Sequence, residues 1–248
     1  MTTDTFGCSA VHRLQSLTNL PAAVVLMVLT ASLPAYAADP WEKMNRGIYR
    51  FNDFTDRVLL KPVAKFYKRF TPQVVRQGVS NVFDNLGTPA VAVNQLLQGK
   101  PVASASDLGR FVLNTTVGIG GLFDVASAAG LEEHDEDFGQ TFGVWGAGSG
   151  NYLVLPFLGS SNVRDATGTV LDMFTNPIRL IDSPEVRWAT GALYVVDLRA
   201  QLLSAESLLV GDEYLFLRDS YSQRRAYLIS DGEIEDDPFA EDEFEEDF

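Results

Sequence analysis

From Trp41 to Leu97 the apolar residues return with the period of an α-helix, and this constrains the chain more than any other feature. Trp41, Met44, Ile48, Phe51, Phe54 and Val58 fall on one stripe, and Val63, Phe66, Tyr67 and Phe70 follow the spacing i, i+3, i+4, i+7. Val75, Val79, Val82, Phe83 and Leu86 make a third stripe. Val93, Leu96 and Leu97 make a fourth, stopped by Gly99-Lys100-Pro101, and Leu108, Phe111, Val112 and Thr115 make a fifth. Start signals punctuate them. Asp39-Pro40-Trp41-Glu42 reads as a cap, a first-position proline and a glutamate, and Thr71-Pro72, Thr88-Pro89 and Ser183-Pro184 repeat the cap-then-proline pattern. Further helices are expected over 161–174, 184–210 and 212–229.

The middle of the chain breaks this regularity. The stretches 117–121 and 139–150 are rich in glycine, and Tyr152-Leu153-Val154-Leu155-Pro156 is apolar with no polar face. Glycine permits tight turns and close backbone approach, so this region is expected to be a buried extended or irregular segment flanked by short helices. The fold class is therefore mainly α, a single amphipathic helical domain with an irregular glycine-rich middle.

Both ends stand apart from that domain. The N-terminus carries His12 and Arg13, then an apolar run from Leu20 to Leu33, then Ala35-Tyr36-Ala37, the small-residue pattern of a secretory cleavage site. A run of about 14 residues is short of the roughly 20 needed to span a bilayer, which favours a cleaved signal over 1–37 against an uncleaved anchor. The only cysteine, Cys8, leaves with it, so the mature chain is expected to form neither disulfides nor thiolate metal sites. At the other end, Asp231 to Phe248 holds 11 acids and no base, dotted by Phe239, Phe244 and Phe248. Such a composition buries too little apolar surface to fold, and 233–248 is expected to be a disordered acidic tail. Most of the formal charge of −14 belongs to this appendage. The body between, 38–232, is nearly neutral, and no clustered lysine and arginine suits it to nucleic acid.

Motifs for catalysis fail in detail. Around Ser149 the positions that a nucleophile elbow gives to glycine hold Ala147 and Asn151; around Ser161, Gly159 fits and Val163 does not. After the signal the only histidine is His134, so serine–histidine chemistry would rest on it alone. The acidic run 132–137 has ligands for a hard cation but also suits a solvated loop, and it lacks the histidine and cysteine set of a zinc site. Gly99-Lys100 lacks the other residues of a phosphate loop, with Asn94 and Pro101 in their places, and Gly118-Ile119-Gly120-Gly121 has only part of a dinucleotide pattern. The expectation is a protein that is not an enzyme and takes no cofactor.

A series of ordered motifs resembles the VacJ/MlaA family. It includes Asp39-Pro40-Trp41-Glu42 with Asn45-Arg46, Phe51-Asn52, Pro62-Val63-Ala64 and Val82-Phe83-Asp84-Asn85-Leu86. It continues with Leu97-Gln98-Gly99, Gly109-Arg110-Phe111 with Asn114-Thr115-Thr116, and Gly118 to Gly121 with Asp124-Val125-Ala126. Asp137-Phe138-Gly139-Gln140-Thr141-Phe142-Gly143, Tyr152 to Pro156, Arg164-Asp165, Arg199-Ala200-Gln201-Leu202-Leu203 and Tyr221 with Gln223-Arg224 complete it. The resemblance implies a ring-like helical protein in the inner leaflet of the outer membrane of Gram-negative bacteria, on its periplasmic side, with a central amphipathic channel. It implies phospholipid as cargo, an outer-membrane porin trimer as partner and a periplasmic lipid carrier as recipient. Its candidate channel-lining or hinge residues here are Phe51, Asn52, Gly118, Gly120, Gly121, Tyr152, Leu153 and Leu155. Each apolar stripe then faces either lipid or an ordinary core.

Two departures from the family pattern stand out. Family members typically carry a cysteine just after the signal, where this chain has Ala38. The family's Gly-Pro-Tyr and Leu-Gly-Pro-Ser read here Gly150-Asn151-Tyr152 and Leu158-Gly159-Ser160-Ser161, which removes two fixed φ angles and is expected to loosen the segment. The first departure motivates the alternative of a soluble periplasmic lipid-binding or interaction protein.

Overall fold

A computed structural model describes residues 39–208 and 211–232. The signal over 1–37 and the tail over 233–248 lie outside the described residues, and the helices and strands belong to the unit that begins at Pro40.

Helix α1, Glu42–Thr55, continues through a π-helical stretch, Asp56–Leu60, into α2, Lys61–Phe70. The first two stripes thus lie on one rod. The π stretch explains how Pro62 is tolerated. Lys61 N–H reaches back five residues to the carbonyl of Asp56, so the backbone widens just before a residue with no N–H to give to the carbonyl four positions earlier. The rod starts two residues later than Asp39-Pro40 predicts, with Trp41 at the cap and no side-chain cap bond.

Thr71 turns into extended backbone, and α3, Gln73–Leu97, begins with Pro72 at its cap. The third and fourth stripes belong to this one helix, and Thr88-Pro89 lies inside it as no start at all. Thr88 Oγ1 instead donates to the carbonyl of Asp84 at 3.0 Å. Packing along α4, Pro101–Thr116, holds the helix through the single backbone bond that Pro89 cannot make. The stop at Gly99-Lys100-Pro101 forms as read. Gly99 adopts φ +80°, Lys100 N–H returns to Gln95 O at 2.9 Å, and Pro101 opens α4.

A glycine turn leads to α5, Val125–Ala128, and then to α6, Phe138–Val144, capped by Asp137. Two antiparallel strands follow, β1 Tyr152–Leu155 and β2 Gly159–Asn162, with Tyr152 opposite Asn162 and Val154 opposite Ser160. The apolar run is extended, as expected, but only Val154 within it is buried, and the hairpin forms without the two family prolines. Helix α7, Val163–Thr175, is capped by Asn162, and a 3-10 turn, Pro177–Leu180, precedes α8, Pro184–Leu202, capped by Ser183. The helix expected over 184–210 ends at Leu202 and passes into a 3-10 turn, Ala205–Leu208. Helix α9, Glu213–Ile229, takes Asp212 as its cap, whose carboxylate accepts from Tyr214 and Leu215 N–H.

Among the described residues the fold is mainly α with one two-stranded hairpin. Helices α3 and α4, α6 and α7, and α2 and α8 are the principal packed pairs. Their interior is polar to an unusual degree: Asn45, Asn94, Gln95, Asp107, Gln140 and Thr141 are fully buried, while the buried apolar side chains are mostly alanine. The large apolar side chains point outward instead. No helix among the described residues is long and apolar enough to cross a membrane.

Candidate functional site

The site is built where α1 meets the hairpin. Asn45 and Asn52 stand two turns apart on one face of α1, and each offers its carboxamide to the backbone as a neighbouring strand would. Asn45 Nδ2 donates to the carbonyl of Tyr152 and its Oδ1 accepts from Val154 N–H, both at 3.0 Å. Asn52 Nδ2 donates to Leu155 O at 2.9 Å and its Oδ1 accepts from Phe157 N–H at 2.8 Å. Phe51 meets Phe157 edge-to-face with centroids 5.2 Å apart. Five candidates from the sequence, Phe51, Asn52, Tyr152, Leu153 and Leu155, therefore lie at one junction between segments a hundred residues apart. Tyr152 is turned toward Tyr214 and Tyr221, at 6.1 and 6.2 Å, and its hydroxyl bonds Ser160 at 2.8 Å. Leu153 and Leu155 are half-buried.

Gly118, Gly120 and Gly121 are not part of this junction. They form the turn after α4, packed on α3. Gly121 N–H returns to Asn114 O at 2.8 Å and Gly120 N–H to Thr115 O at 2.9 Å. Gly121 has φ +87°, and a Cβ there would stand 2.7 Å from the Cβ of Asn85. Glycine is thus required by contact with α3 as well as by backbone angle.

Beside the hairpin opens a cleft of about 490 Å³. Leu60, Leu202, Leu217 and Phe157 supply apolar lining, and charged side chains pair across it. Arg199 grips Asp56 with two bonds of 2.7 and 2.8 Å and also pairs with Glu206, which Lys61 reaches at 2.7 Å. Tyr49 donates to Glu213 at 2.7 Å, and burial together with that carboxylate pushes its hydroxyl above the ordinary tyrosine range. Asp56 and Glu206 were not singled out by sequence reasoning. Their only local signal is position, Asp56 at the start of the π stretch and Glu206 two turns beyond Arg199.

The remaining motif residues build the polar interior. Asn114 donates to Asp124 at 3.0 Å and accepts from Ala126 N–H, Asn85 donates to Thr115, and Thr141 donates to Asn94 at 2.7 Å. Arg225 from α9 holds Asp137 through two bonds of 2.5 and 2.9 Å and lies 3.0 Å from Asp165, which also accepts from Tyr221 at 2.6 Å. Burial alone would raise both carboxyls. Arg225 on Asp137, and Arg164 and Tyr221 with Arg225 on Asp165, overrule it and hold both below the ordinary carboxylate range. Asp172 lacks such a bond, and burial pushes it up to about 6.

The acidic run is taken up in the same way. Glu136 binds Gln98 and Lys100, Asp135 pairs with Arg224, and Glu133 lies 3.7 Å from Arg110. His134 Nδ1 sits 2.9 Å from the buried Asp107. Among the described residues no group of three potential ligands is placed to hold a metal ion.

The stripes of α1 and α2 face largely outward, while Val79, Val82, Phe83 and Leu86 of α3 are half-buried. Phe54, Phe66 and Phe70 are 64, 63 and 64% exposed, and Val58, Leu59, Val74, Val102, Leu180 and Trp188 exceed 60%. Monomeric soluble proteins rarely expose apolar surface on this scale. This is the class of helical protein that packs polar groups inward and turns its apolar faces to its surroundings. A model of the MlaA lipoprotein family matches residues 37–228, and the chain belongs to that family. It is 38% identical over 212 residues to the intermembrane phospholipid transport system lipoprotein MlaA of Escherichia coli, covering 79% of this chain and 80% of that protein. The namesake protein of Haemophilus influenzae is 32% identical over 205 residues, 79% and 81% of the two chains. A solved structure described as "Structural basis for maintenance of bacterial outer membrane lipid asymmetry" superposes with a TM-score of 0.69 at 34% identity, covering 77% of this chain and 99% of that one.

Proposed function

We propose that this protein removes phospholipid that has strayed into the outer leaflet of a Gram-negative outer membrane. It passes the lipid along an amphipathic channel in a ring-like body and hands it to a periplasmic lipid carrier, with a porin trimer as its membrane partner. The observation that carries this reading is the inverted distribution of side chains: the polar motif residues are packed inside, and the phenylalanines of α1 and α2 face out. The names and description carried by its relatives, an intermembrane phospholipid transport system and outer-membrane lipid asymmetry, point the same way. A two-chain phospholipid carries about 30 methylenes, so leaving the bilayer unaided costs more than ~20 kcal/mol. A protein that offers apolar surface beside a polar path lowers that barrier by guiding the lipid, without nucleotide, metal or covalent chemistry.

Phe51, Asn52, Tyr152, Leu153 and Leu155 hold the hairpin against α1 at the mouth of the apolar cleft, and the Gly118–Gly121 turn is a second, separate adjustable point. Residues 38–232 form the functional body, released by cleavage after Ala37; mass spectrometry of the mature chain reads that site directly.

Deleting the gene is expected to let phospholipid accumulate in the outer leaflet and to sensitise cells to detergent. Replacing Phe54, Phe66 and Phe70 together with serine removes three rings, each contributing ~1–2 kcal/mol at this exposure, and is expected to weaken membrane association roughly 10²–10⁴-fold. An unchanged outer leaflet in the deletion strain, or recovery of the wild-type protein in the soluble periplasm, refutes the proposal. The second result would favour a soluble lipid-binding protein.

A further inference from the structure

A second cleft, of about 420 Å³, opens between α2, the start of α3 and α8. Two cations line it, Lys68 and Arg76. Neither makes a hydrogen bond or ion pair with any described residue, whereas Arg46, Arg110, Arg199 and Arg225 all engage carboxylates. Arg76 is half-buried, and its Nε is shielded from solvent with no acceptor. A shielded guanidinium N–H without an acceptor costs on the order of 1–3 kcal/mol, so an unpartnered one at the wall of a cleft points to an acceptor from outside the chain.

The one carboxylate lining the cleft, Asp197, is already engaged. It accepts from Tyr67 and from Gln201, each at 2.9 Å. Asp84, further along α3, bonds Ser80 at 3.3 Å. Lys68 and Arg76 thus leave the cleft with an excess of positive charge. Gln73, the first residue of α3, is also in its lining, so the positive end of a 25-residue helix dipole adds to them. Phe66, Phe70 and Val74 are exposed but lie two residues from the cations, on other faces of α2 and α3, and are not in the lining of the cleft.

We infer that Lys68 and Arg76 form a binding site for the phosphate of a phospholipid headgroup. A guanidinium presents a planar fork to phosphate oxygens, and an ammonium adds a point charge beside it. This inference rests on the lipid-conduit reading and names the place where that conduit holds the headgroup.

The test uses the full chain purified in detergent, with fluorescent phosphatidylglycerol and fluorescent diacylglycerol of identical chains as probes. The wild type is expected to bind the phospholipid at least ~10-fold more tightly, the value of one or more charge-assisted bonds. The double variant Lys68→Gln/Arg76→Gln is expected to reduce that preference to within about twofold while diacylglycerol binding stays unchanged. Arg76→Lys is expected to retain most of the preference. Arg50→Gln, which removes an exposed cation elsewhere, is expected to retain all of it. Neither Lys68 nor Arg76 bonds to another described residue, so the double variant is expected to fold, and an unchanged melting temperature checks this.

A folded double variant that still discriminates overturns the inference, as does a wild type that binds both probes equally; the second result leaves the conduit standing. A wild type that binds neither probe overturns the conduit itself. Binding of inorganic phosphate that needs Lys68 and Arg76, without preference for phospholipid over diacylglycerol, assigns a free anion and overturns the lipid source.

Discussion

Replacing Asn45 with alanine tests whether one buried carboxamide holds the hairpin to α1. The side chain is 0% exposed and makes two 3.0 Å bonds to β1. Alanine removes both and leaves the N–H of Val154 and the carbonyl of Tyr152 facing a gap. Each stranded backbone group costs ~1–3 kcal/mol, and alanine's better helix propensity returns about 0.5 kcal/mol, so the net loss is ~2–4 kcal/mol. For a domain of this size that lowers the melting temperature by roughly 5–15 °C. The assay is urea and thermal unfolding of the detergent-solubilised protein followed by tryptophan fluorescence.

Two companion variants sharpen it. Asn81→Ala removes two exposed bonds, one to Leu122 O at 3.1 Å and one from Gln77 at 2.9 Å, and is expected to cost less than ~0.5 kcal/mol. Asn45→Asp keeps an acceptor for Val154 N–H but sets a carboxylate oxygen against the Tyr152 carbonyl. It is expected to cost at least as much as alanine at about pH 7.5, with the deficit shrinking in acid as the buried carboxyl gains a proton it can donate. An Asn45→Ala variant within ~0.5 kcal/mol of wild type, or an aspartate variant insensitive to pH, would falsify the claim that this amide stands in for a strand.

Three further outcomes are expected. Gly121→Ala is expected to destabilise by more than ~2 kcal/mol and Gly120→Ala by about 1 kcal/mol, because only the first meets Asn85 as well as a left-handed backbone; equal losses in chemical denaturation would show that the contact does not matter. Arg225→Met is expected to cost ~1–3 kcal/mol at neutral pH, since it takes both arginine bonds from half-buried Asp137, while Asp165 keeps Arg164 and Tyr221. The Asp137 carboxyl is held low by that arginine, so its contribution is present above the ordinary carboxylate value and disappears as pH falls through the depressed one; the deficit is therefore expected to narrow below about pH 4, and a constant deficit down to about pH 2.5 would contradict the ion-pair account. Asp172 has the opposite sign. Its carboxyl is raised to about 6, so wild type is expected to lose stability as pH rises from about 4 to about 6, whereas Asp172→Asn, in which Asp84 alone of the two raised carboxyls still titrates, is expected to lose less and to be ~1–2 kcal/mol more stable at about pH 7.5; parallel pH profiles for the two proteins would argue against it.

Local signals were legible in the sequence where a single residue decides a helix end. Ser183-Pro184, Gly99-Lys100-Pro101 and the start of α9 form as read, because a cap or a left-handed glycine acts on its own turn. The cap-then-proline signal misled at Thr88-Pro89; Pro62, which carries no such signal, and Pro89 both lie in continuous helix. A π widening before one and packing of α3 on α4 at the other outweigh a local cost that the sequence shows but cannot compare with its compensation. Half of the candidate site was also within reach: Phe51-Asn52 and Tyr152 to Leu155 each carried a recognisable motif. That they meet was not, since no local rule pairs residues a hundred positions apart. The Lys68–Arg76 cleft gave no sequence signal beyond two cations one helix apart.

The sequence by itself determined that the chain is helical, where most helices stop, and that it shares ordered motifs with one family. A period of 3.6 requires only that one face of each helix leave water. Whether that face meets a core or stays on the surface is a property of the assembled helices, and only the tertiary structure decided it. The buried positions went to asparagine, glutamine, aspartate and alanine, and the phenylalanine stripes were left outside. The physical reason is that the polar residues between the stripes bond to one another and to distant backbone, as Asn45 and Asn52 do with the hairpin. Those bonds, invisible to any count of hydrophobic periodicity, turn the protein's apolar faces outward.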